Sequence, residues 1–524
     1  MNIAHLLREQ AFERAQAVAI KGGRRAKGRS ITFAGLEESV ARAVTLLAES
    51  GLKKGDAVLV FVPLSIELYV ALSALFRLGL IAMFVDPSAG RERLEQCCRL
   101  YPPKGLIASS KAHLLRIVSP AMRAIPVKFV VWGRLPGAIP WARADRLPLE
   151  NAVARCGEEH PALLTFTSGS TGLPKAAVRT HSFLSAQYRA LAKNLELRAG
   201  ETDLTTQPIF ALANLASGLT SLLPDADLRR PDRIDAEAVV AQIERERLDR
   251  VSASPAFLER VLDYAESRRL RFPRLGKILT GGAPVFPGLL ERLQALAPRA
   301  DIIAVYGSTE AEPIAHVSLK EISPRDREAM CRGRGLLAGP PIPDIELRII
   351  RDSWGEAIPH QGEAPFAERC LPQGQVGEIV VSGRHVLHGY LHGRGDEENK
   401  FDVGKTRWHR TGDAGYLDER GRLWLLGRCS ARIEDEHGTL YPFALECAAH
   451  SQATLHRVAA VLDRGVRTLV VEPKKGVPVD TEGLLNALAW AELSGVRVID
   501  RMPVDRRHNA KVDYAALRRV LSQR

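Results

Sequence analysis

The amino-acid sequence predicts an α/β protein. We expect a large N-terminal domain of parallel-rich sheets with helices, a small β-rich subdomain, and a small α+β C-terminal domain that acts as a mobile lid. Three observations predict this class. The chain has 524 residues, 46% of them hydrophobic, which is enough for more than one core. Apolar runs of strand length alternate with amphipathic stretches of helical length, and after about residue 340 short strands with glycine turns replace them. We therefore expect the N-terminal domain over 1–428, its β-rich subdomain over 340–428 and the lid over 429–524.

The elements follow in chain order. Buried strands are predicted at 57–62, 80–85, 127–132, 278–280 and 302–305. Amphipathic helices are predicted at 66–78 and 91–100. They alternate with the first three strands, as crossover helices do in a parallel sheet. The β-rich part has strands at 345–350, 377–382 and 423–426, and the lid has strands at 457–462 and 468–471 and a helix at 481–491.

Charge and aromatic content narrow the class of partner. Lysine and arginine total 73 against 61 aspartate and glutamate, a net charge of +12, but the charges are interspersed and aromatic residues make up only 6%. Nucleic-acid binding favours a basic tract with aromatic stacking platforms, and neither is visible. We expect anionic small molecules, and no nucleic acid, as partners.

The cysteines and the apolar runs bear on the compartment. Seven scattered cysteines lack CxxC spacing, so their pattern indicates neither a disulfide framework nor a zinc site. The first 15 residues form a charged amphipathic pattern, and the most apolar region, 57–85, is interrupted by Glu67 and Arg77. We expect a cytoplasmic protein without a signal peptide or a membrane span.

One short stretch stands out by its chemistry. Residues 163–181 read LLTFTSGSTGLPKAAVRTH, a polar, glycine-containing segment that follows the end of an apolar strand and closes with Pro174 and Lys175. Glycines let backbone N–H groups turn inward, hydroxyls add donors, and a lysine adds a fixed positive charge. Such a loop suits the phosphates of a nucleoside triphosphate. A polar surface linker has a similar composition, and local sequence alone leaves both interpretations open.

Four further stretches carry candidate chemistry. In VYGSTEAEP, 305–313, Glu310 offers the carboxylate oxygen that Mg²⁺ prefers, although a glutamate here also suits a helix cap. A strand that ends in glycines is predicted at LTGGAPV, 279–285. The glycines would allow either the close approach of a ligand or a tight turn. In HRTGDAGYLDERGRLWLLGR, 409–428, Asp413 can accept two hydroxyl hydrogen bonds, unless the segment is only a hairpin with an Asp turn. MPVDRRHNAKVDYAALR, 502–518, places Lys511 near the C-terminus.

Together these stretches resemble the adenylate-forming superfamily of acyl-CoA synthetases, luciferases and peptide-synthetase adenylation domains, over nearly the whole chain. The resemblance implies that a carboxylic acid is joined to AMP from ATP, with Mg²⁺ and with release of pyrophosphate. Tyr306 would stack on adenine, Thr309 would contact the α-phosphate and Glu310 would hold Mg²⁺. Asp413 would bind the ribose hydroxyls. The implied ATP and AMP contacts are Thr167, Ser168, Gly169, Ser170, Thr171, Gly172, Lys175, Gly281, Gly282, Ala283, Tyr306, Gly307, Thr309, Asp413 and Arg428.

The resemblance also implies a set of catalytic residues and a hinge. Lys511 would act when the lid closes, neutralising carboxylate and phosphate as they approach, with Thr309 and His181 as further catalytic candidates. A structural role for His181 remains an alternative. The hinge residue after Arg428 is commonly Asp or Lys in the family, whereas this chain has Cys429 and Ser430 there.

The C-terminal string PVDRRHNAK, 503–511, departs from the usual ending of acyl-CoA synthetases and resembles the β-lactone synthetases of the bacterial long-chain olefin pathway. This implies a long-chain β-hydroxy acid as substrate and enzymes of the same pathway as partners, with His508 as a candidate contact to hydroxyl or phosphate. An acyl-CoA ligase, or a ligase that loads a carrier protein, is the alternative enzyme. A non-catalytic nucleotide-binding protein is the alternative from another class. Candidate acyl-pocket residues, which a plain core explains as well, are Phe210, Leu212, Asn214 and Ser254.

Overall fold

A computed structural model describes residues 2–23, 28–86, 90–168, 174–450, 454–504 and 512–522. The chain forms two compact units. The first contains 1–226, 238–252 and 384–396, and the second contains 227–237, 253–383 and 397–524. This division differs from the sequence-predicted domain boundaries, which stay predictions. The predicted α/β class with mixed sheets and helices is confirmed.

Parallel strands and crossover helices make up most of the first unit. Its helices are α1 Ala4–Glu13, α2 Phe33–Glu49, α3 Ile66–Leu78, α4 Gly90–Leu100, α5 Leu115–Val118, α6 Pro120–Ala124, α7 His181–Asn194, α8 Pro208–Ala216 and, largely within it, α9 Ala236–Glu246. Its strands are β1 Val18–Lys21, β2 Ser30–Thr32, β3 Ala57–Phe61, β4 Ile81–Phe84, β5 Gly105–Ser109, β6 Val127–Val131, β7 Ile139–Pro140, β8 Pro161–Ser168, β9 Pro174–Thr180, β10 Thr202–Thr205, β11 Thr220–Leu222 and β12 Arg250–Ala253.

The larger sheet of this unit has the order β7-β6-β5-β3-β4-β8-β9, parallel throughout except for the antiparallel pair β8 and β9. Alternate residues of β3 enter different cores: Val58 and Val60 pack in the core that α2 and α3 cover, and Leu59 and Phe61 pack in the core that α4 and α6 cover. A sheet buried on both faces needs continuous apolar strands, which explains the uninterrupted AVLVF of β3.

Local signals delimit α3 within this sheet. The Ser65 hydroxyl accepts a hydrogen bond from Leu68 N–H at the start of α3, and Gly79 ends the helix with φ of +66°. β4 then begins two residues later, at Ile81. These caps are the reason that the predicted strand, helix and strand over 57–85 appear as expected. A second group of strands in the unit has the order β12-β10-β11-β1-β2, parallel except for β1 and β2.

The second unit combines short parallel and longer antiparallel pairs. Its helices are α10 Pro255–Ser267, α11 Pro287–Leu296, α12 Pro324–Cys331, α13 Glu363–Arg369, α14 Asp396–Asn399, α15 Pro442–His450, α16 Thr481–Ala487 and α17 Tyr514–Ser522. Its strands are β13 Lys277–Gly281, β14 Asp301–Tyr306, β15 Ala315–Ser318, β16 Leu336–Gly339, β17 Glu346–Ile350, β18 Gly377–Ser382, β19 Lys400–Val403, β20 Thr406–Leu417, β21 Leu423–Arg428, β22 Ile433–Asp435, β23 Gly438–Leu440, β24 Leu455–Asp463, β25 Val466–Pro473 and β26 Gly495–Val498.

Within this unit β13 pairs in parallel with β14, and an antiparallel sheet has the order β16-β21-β20-β18-β17 with β19 beside β20. Beyond residue 340 most strand pairs are therefore antiparallel, and the bounds of the β-rich subdomain stay a prediction. β24, β25 and β26 form a further sheet. Two hydrophobic cores, at 433–491 and 459–521, are built only from residues after Arg428, which supports a separate C-terminal domain as a proposal.

Among the helices of the described residues, none combines the length and the hydropathy needed to traverse a bilayer.

Candidate functional site

The proposed phosphate loop connects two paired strands. β8 and β9 are antiparallel, and their register ends with Thr167 opposite Lys175 and Ser168 opposite Pro174. The segment between them thus starts and ends in the same sheet, as expected for a loop that leaves a sheet. Gly169, Ser170, Thr171 and Gly172 lie outside the described residues, and for Thr167 and Ser168 only the backbone is described.

Lys175 is buried against a segment that the sequence analysis did not identify. Its Nζ lies 5.9 Å from the centroid of the Tyr390 ring, within the range of a cation–π contact. Gly395 has φ of +95°, and a Cβ there would lie 2.5 Å from Lys175 Cδ. The backbone of Tyr390 also bridges to Ala177 of β9. A glycine at 395 is therefore needed for the lysine to lie where it does.

In the second unit, three predicted nucleotide residues meet, two at the ends of strands and Asp413 within β20. The Tyr306 hydroxyl, at the end of β14, donates to Asp413 Oδ2 at 2.8 Å. Arg428 Nε lies 3.2 Å from Asp413 Oδ1, because Asp413 on β20 and Arg428 on β21 are register partners. Burial raises the pKa of Tyr306, and the Asp413 carboxylate raises it further, so the phenol stays protonated and acts as donor. We call these residues the Tyr306–Asp413–Arg428 group.

Asp413 is the anchor of this group. Its carboxylate offers about four acceptor positions, and the two contacts leave acceptor capacity on each oxygen for hydroxyl groups of a ligand. The side chain is only 19% exposed, while that of Arg428 is 51% exposed. Tyr306 therefore holds one oxygen of Asp413 in place, and the partner of the other oxygen, Arg428, is partly exposed to solvent.

A tight turn after β14 positions the next two candidates. Ser308 N–H donates to the Ala311 carbonyl at 2.7 Å, and the Ser308 hydroxyl accepts from the N–H groups of Glu310 and Ala311. A Cβ at Gly307 would lie 3.0 Å from the Ala311 carbonyl oxygen, so this turn favours glycine. Thr309 and Glu310 are half-buried on it.

The Glu310 carboxylate suits a hard divalent cation. Asp413 is the main cause of the raised pKa of Arg428, and the Glu310 carboxylate adds to it, so the charge of Glu310 acts on the same group. Carboxylate oxygen is the donor that Mg²⁺ prefers, and Glu310 therefore fits the role that the sequence predicts for it.

The two glycines at the end of β13 have different explanations. A Cβ at Gly281 would lie 2.5 Å from the carbonyl oxygen of Val305 on the paired strand β14, so strand packing alone requires glycine there. Gly282 is exposed with φ of +81°, which fits the tight turn. Ala283 follows it, half-buried. Contacts of these residues with a nucleotide stay predictions.

The candidate acyl-pocket residues lie in different environments. Leu212 of α8 lines an apolar cavity with Phe76, Leu184 and Tyr188 in the first unit, whereas Phe210 is buried in the core. Asn214 is fully buried and its amide donates to Asp203 Oδ2 at 2.9 Å. Ser254 begins α10 in the second unit. The buried hydrogen bond gives Asn214 a structural role, whereas Leu212 lines a cavity.

His181 is the first residue of α7 and is fully buried. Its Nδ1 lies 3.3 Å from Ile3 N–H, its ring stacks on that of His160 with centroids 5.8 Å apart, and its Nε2 has no hydrogen-bond partner among the described residues. Burial, and then His160, lowers the pKa of His181 to about 4, so the ring is neutral at pH 7. This environment favours a structural role over direct proton transfer.

The predicted tail lysine, Lys511, lies outside the described residues, as does His508. The flanking residues Val504 and Val512 form an antiparallel bridge, and Asp513 N–H donates to the Pro503 carbonyl. The two ends of this segment are therefore held together in the second unit.

The predicted hinge forms a single 3-10 turn, Cys429–Ala431, in which Cys429 is buried and Ser430 is exposed. Beyond it, Asp352 accepts from Arg432 at 3.0 Å and from the Tyr441 hydroxyl at 2.8 Å. Sequence reasoning did not identify this contact, which ties the start of the C-terminal region to the β-rich region.

The chain is similar to known proteins along most or nearly all of its length. The AMP-binding enzyme family matches residues 7–391. The olefin beta-lactone synthetase of Stenotrophomonas maltophilia (strain K279a) is 33% identical, covering 98% of this chain and 96% of that protein. The olefin beta-lactone synthetase of Xanthomonas campestris pv. campestris is 31% identical with the same coverage. In fold, the chain is similar to the anthranilate CoA ligase AuaEII in complex with anthranoyl-AMP, with a TM-score of 0.83 at 17% identity, covering 100% of this chain and 98% of that one.

Proposed function

Since the chain belongs to the AMP-binding enzyme family and is an adenylate-forming ligase, we propose that it converts a long-chain β-hydroxy acid into a β-lactone with ATP and Mg²⁺. In the first step a carboxylate oxygen attacks the α-phosphorus of ATP, pyrophosphate leaves and an acyl-adenylate forms. In the second step the β-hydroxyl loses its proton and attacks the acyl carbonyl, and AMP leaves. Attack within one molecule favours ring closure by proximity.

Similarity along nearly the whole chain to the olefin beta-lactone synthetases is the observation that carries this proposal. The string PVDRRHNAK at 503–511 agrees with it, because it differs from the ending of acyl-CoA synthetases. No thiol takes part in the proposed reaction, which distinguishes it from thioester formation.

The Tyr306–Asp413–Arg428 group supports a nucleoside contact. Asp413 would accept hydrogen bonds from the ribose hydroxyls, since an ionised carboxylate offers acceptors only. The ring of Tyr306 would stack on adenine while its hydroxyl holds Asp413 in place. Thr309 would contact the α-phosphate. Glu310 would hold Mg²⁺, which would neutralise phosphate charge when bound.

Lys175 and the loop before it would bind the pyrophosphate part of ATP. The buried lysine beside Tyr390 supports this role, because its position is set by packing before any ligand arrives. The loop residues 167–172 would add hydroxyl and backbone donors. Leu212, on the cavity in the first unit, remains the best supported of the candidate acyl contacts.

The region after Arg428 would act as the lid and deliver Lys511 to the reacting phosphate. Its separate hydrophobic cores support a body that turns as a unit, and the 3-10 turn at Cys429–Ala431 would be the hinge. A cytoplasmic location and association with enzymes of the same pathway belong to this proposal as well.

The test is a product analysis with the purified protein and Mg-ATP. A long-chain β-hydroxy acid and the matching acid without the hydroxyl are each incubated with and without CoA, and products are identified by mass spectrometry. A β-lactone from the hydroxy acid without CoA is the expected result. A thioester from the unsubstituted acid, with no lactone under any condition, would favour the alternative, an acyl-CoA ligase. A ligase that loads a carrier protein would release pyrophosphate with the acid and retain acyl-adenylate.

A further inference from the structure

Cys156, His160 and His181 come together at the base of the β8 and β9 hairpin, and we call them the Cys–His cluster. One ligand-type atom from each lies within 4.8 Å of the other two. His160 directly precedes β8 and His181 directly follows β9, and Pro161 pairs with Thr180. His181 N–H also donates to the His160 carbonyl at 3.2 Å. The strand register therefore fixes the two histidines beside each other.

The surroundings of His160 resemble those of a metal-binding histidine, and His181 has one ring nitrogen without a partner among the described residues. His160 Nε2 lies 2.8 Å from the Gly79 carbonyl, so Nε2 carries the proton and Nδ1 keeps its lone pair. Metal-binding histidines commonly donate their second nitrogen to a backbone carbonyl in this way. His181 is fully buried, and its Nδ1 accepts from Ile3 N–H, so Nε2 carries the ring proton. This Nε2–H has no hydrogen-bond partner among the described residues. A buried polar atom without a partner is unfavourable unless a ligand binds it.

The cysteine is prepared for the same role. The Asn2 side-chain amide donates to Cys156 Sγ at 3.6 Å, a contact that a thiolate strengthens. A Cβ at Gly79 would lie 3.1 Å from Cys156 Sγ and 3.4 Å from His160 Nε2, so the glycine keeps space open beside both residues. One thiol and two neutral imidazoles are donors that suit zinc and not magnesium or calcium.

We propose that the Cys–His cluster binds one Zn²⁺ through Cys156, His160 and His181, with water as the fourth ligand. Tetrahedral zinc with bonds of about 2.0–2.3 Å needs ligand atoms roughly 3.3–3.6 Å apart, so the side chains move by about 1 Å on binding. The Cys156 thiol releases its proton. Coordination by His181 Nε2 moves the ring proton to Nδ1, and the ring exchanges its contact with Ile3 N–H for the metal bond.

The Cys–His cluster lies away from the proposed phosphate loop. At about 3.3 Å per residue, β8 extends roughly 23 Å from Pro161 to Ser168, so the cluster and the loop lie at opposite ends of the hairpin. A bound ion would link the two strands where they enter the sheet. The ion would thus fix the base of the hairpin that carries the proposed phosphate loop. It would not itself contact the nucleotide.

The test uses the full-length protein, without substrate or nucleotide. The protein is equilibrated with equimolar Zn²⁺ and passed through gel filtration, and its metal is measured by mass spectrometry. One zinc per chain is expected. In a parallel sample Co²⁺ replaces Zn²⁺, and a sulfur-to-cobalt charge-transfer band in the near ultraviolet is expected because the ligand set contains a thiolate.

Two variants and a matched control identify the ligands. Cys156→Ser should remove the charge-transfer band, and His160→Ala should weaken metal binding by at least about 100-fold, since even indirect contacts to metal ligands are worth 10-fold to 100-fold. Cys331→Ser changes an exposed thiol elsewhere and should keep both signals. Circular dichroism confirms that each variant is folded. The proposal is overturned if the wild-type protein retains no zinc and shows no band with Co²⁺, or if the band survives in Cys156→Ser.

Discussion

Replacing Tyr306 by phenylalanine should weaken ATP binding about tenfold while keeping the aromatic ring. The change removes only the hydroxyl that donates to Asp413 Oδ2 at 2.8 Å. A hydrogen bond to an ionised group contributes about 1.5–3 kcal/mol. Asp413 keeps Arg428 on its other oxygen at 3.2 Å, but that side chain is half exposed and holds the carboxylate less firmly. Water partly replaces the hydroxyl, so we expect the lower end of this range, about 1.5 kcal/mol, which is slightly more than tenfold in affinity.

The assay measures pyrophosphate release against ATP concentration, together with direct ATP binding by calorimetry. Tyr306→Phe should raise KM and Kd for ATP by similar factors and change kcat little, because the lost contact positions a binding residue. Asp413→Asn should raise both by at least about 100-fold, because it removes the proposed ribose acceptor and its charge. Tyr416→Phe is the matched control, since its hydroxyl donates to the Arg334 carbonyl in the same unit.

The reasoning is refuted if Tyr306→Phe leaves the affinity for ATP within twofold of the wild-type value. It is equally refuted if Tyr416→Phe weakens ATP binding as much as Tyr306→Phe does. Thermal unfolding of all three variants separates loss of binding from loss of fold.

Three further predictions concern stability and the lid. Arg410→Met should destabilise the protein by about 3–5 kcal/mol in urea unfolding, because it strands the fully buried Glu378 that Arg410 holds through two hydrogen bonds at 2.9 and 2.6 Å. Burial raises the pKa of Glu446 from 4.5 to about 7, so between these pH values the folded state binds a proton that the unfolded state has lost. The free energy of unfolding should therefore fall as pH rises from 4.5 to 7, by at most about 3 kcal/mol. Glu446→Gln should flatten this pH dependence in thermal melts. Asp352→Asn should weaken the contacts of Asp352 with Arg432 and Tyr441 and speed limited proteolysis near residue 430.

Each of these has a control at an exposed site. Arg332→Met, in an exposed pair with Glu328, should change stability by less than about 1 kcal/mol. Glu436→Gln should leave the pH dependence unchanged, and Asp500→Asn should leave proteolysis unchanged. Equal effects in a variant and its control would contradict the corresponding explanation.

Local sequence determines much of the first unit. The run AVLVF, the cap at Ser65 and the left-handed Gly79 are signals within a few residues of each other, and they predict β3 and α3 without knowledge of distant contacts. The strand, glycine-rich loop and lysine of the phosphate-binding stretch are likewise contiguous. Such elements follow from the order of residue types alone.

Contacts between distant residues could not be predicted in this way. Lys175 packs on Tyr390 and Gly395, which lie more than 200 residues later, and no periodicity links them. Gly281 suggested ligand approach, but the register of β13 with β14 gives it a packing role that only the pairing reveals. The Cys–His cluster contains a single cysteine, so a search for paired cysteines found no zinc pattern.

Oxygen-isotope transfer tests the central claim, adenylation of a carboxylate followed by attack of the β-hydroxyl, most directly. The β-hydroxy acid is labelled with ¹⁸O in both carboxyl oxygens and converted with Mg-ATP. The ¹⁸O content of the AMP and of the lactone is then measured by mass spectrometry. The account predicts one ¹⁸O in AMP and one in the lactone carbonyl, because the carboxylate oxygen that attacked phosphorus leaves with AMP. A lactone that keeps both labelled oxygens, with none in AMP, would mean that the hydroxyl and not the carboxylate was activated, and would contradict it.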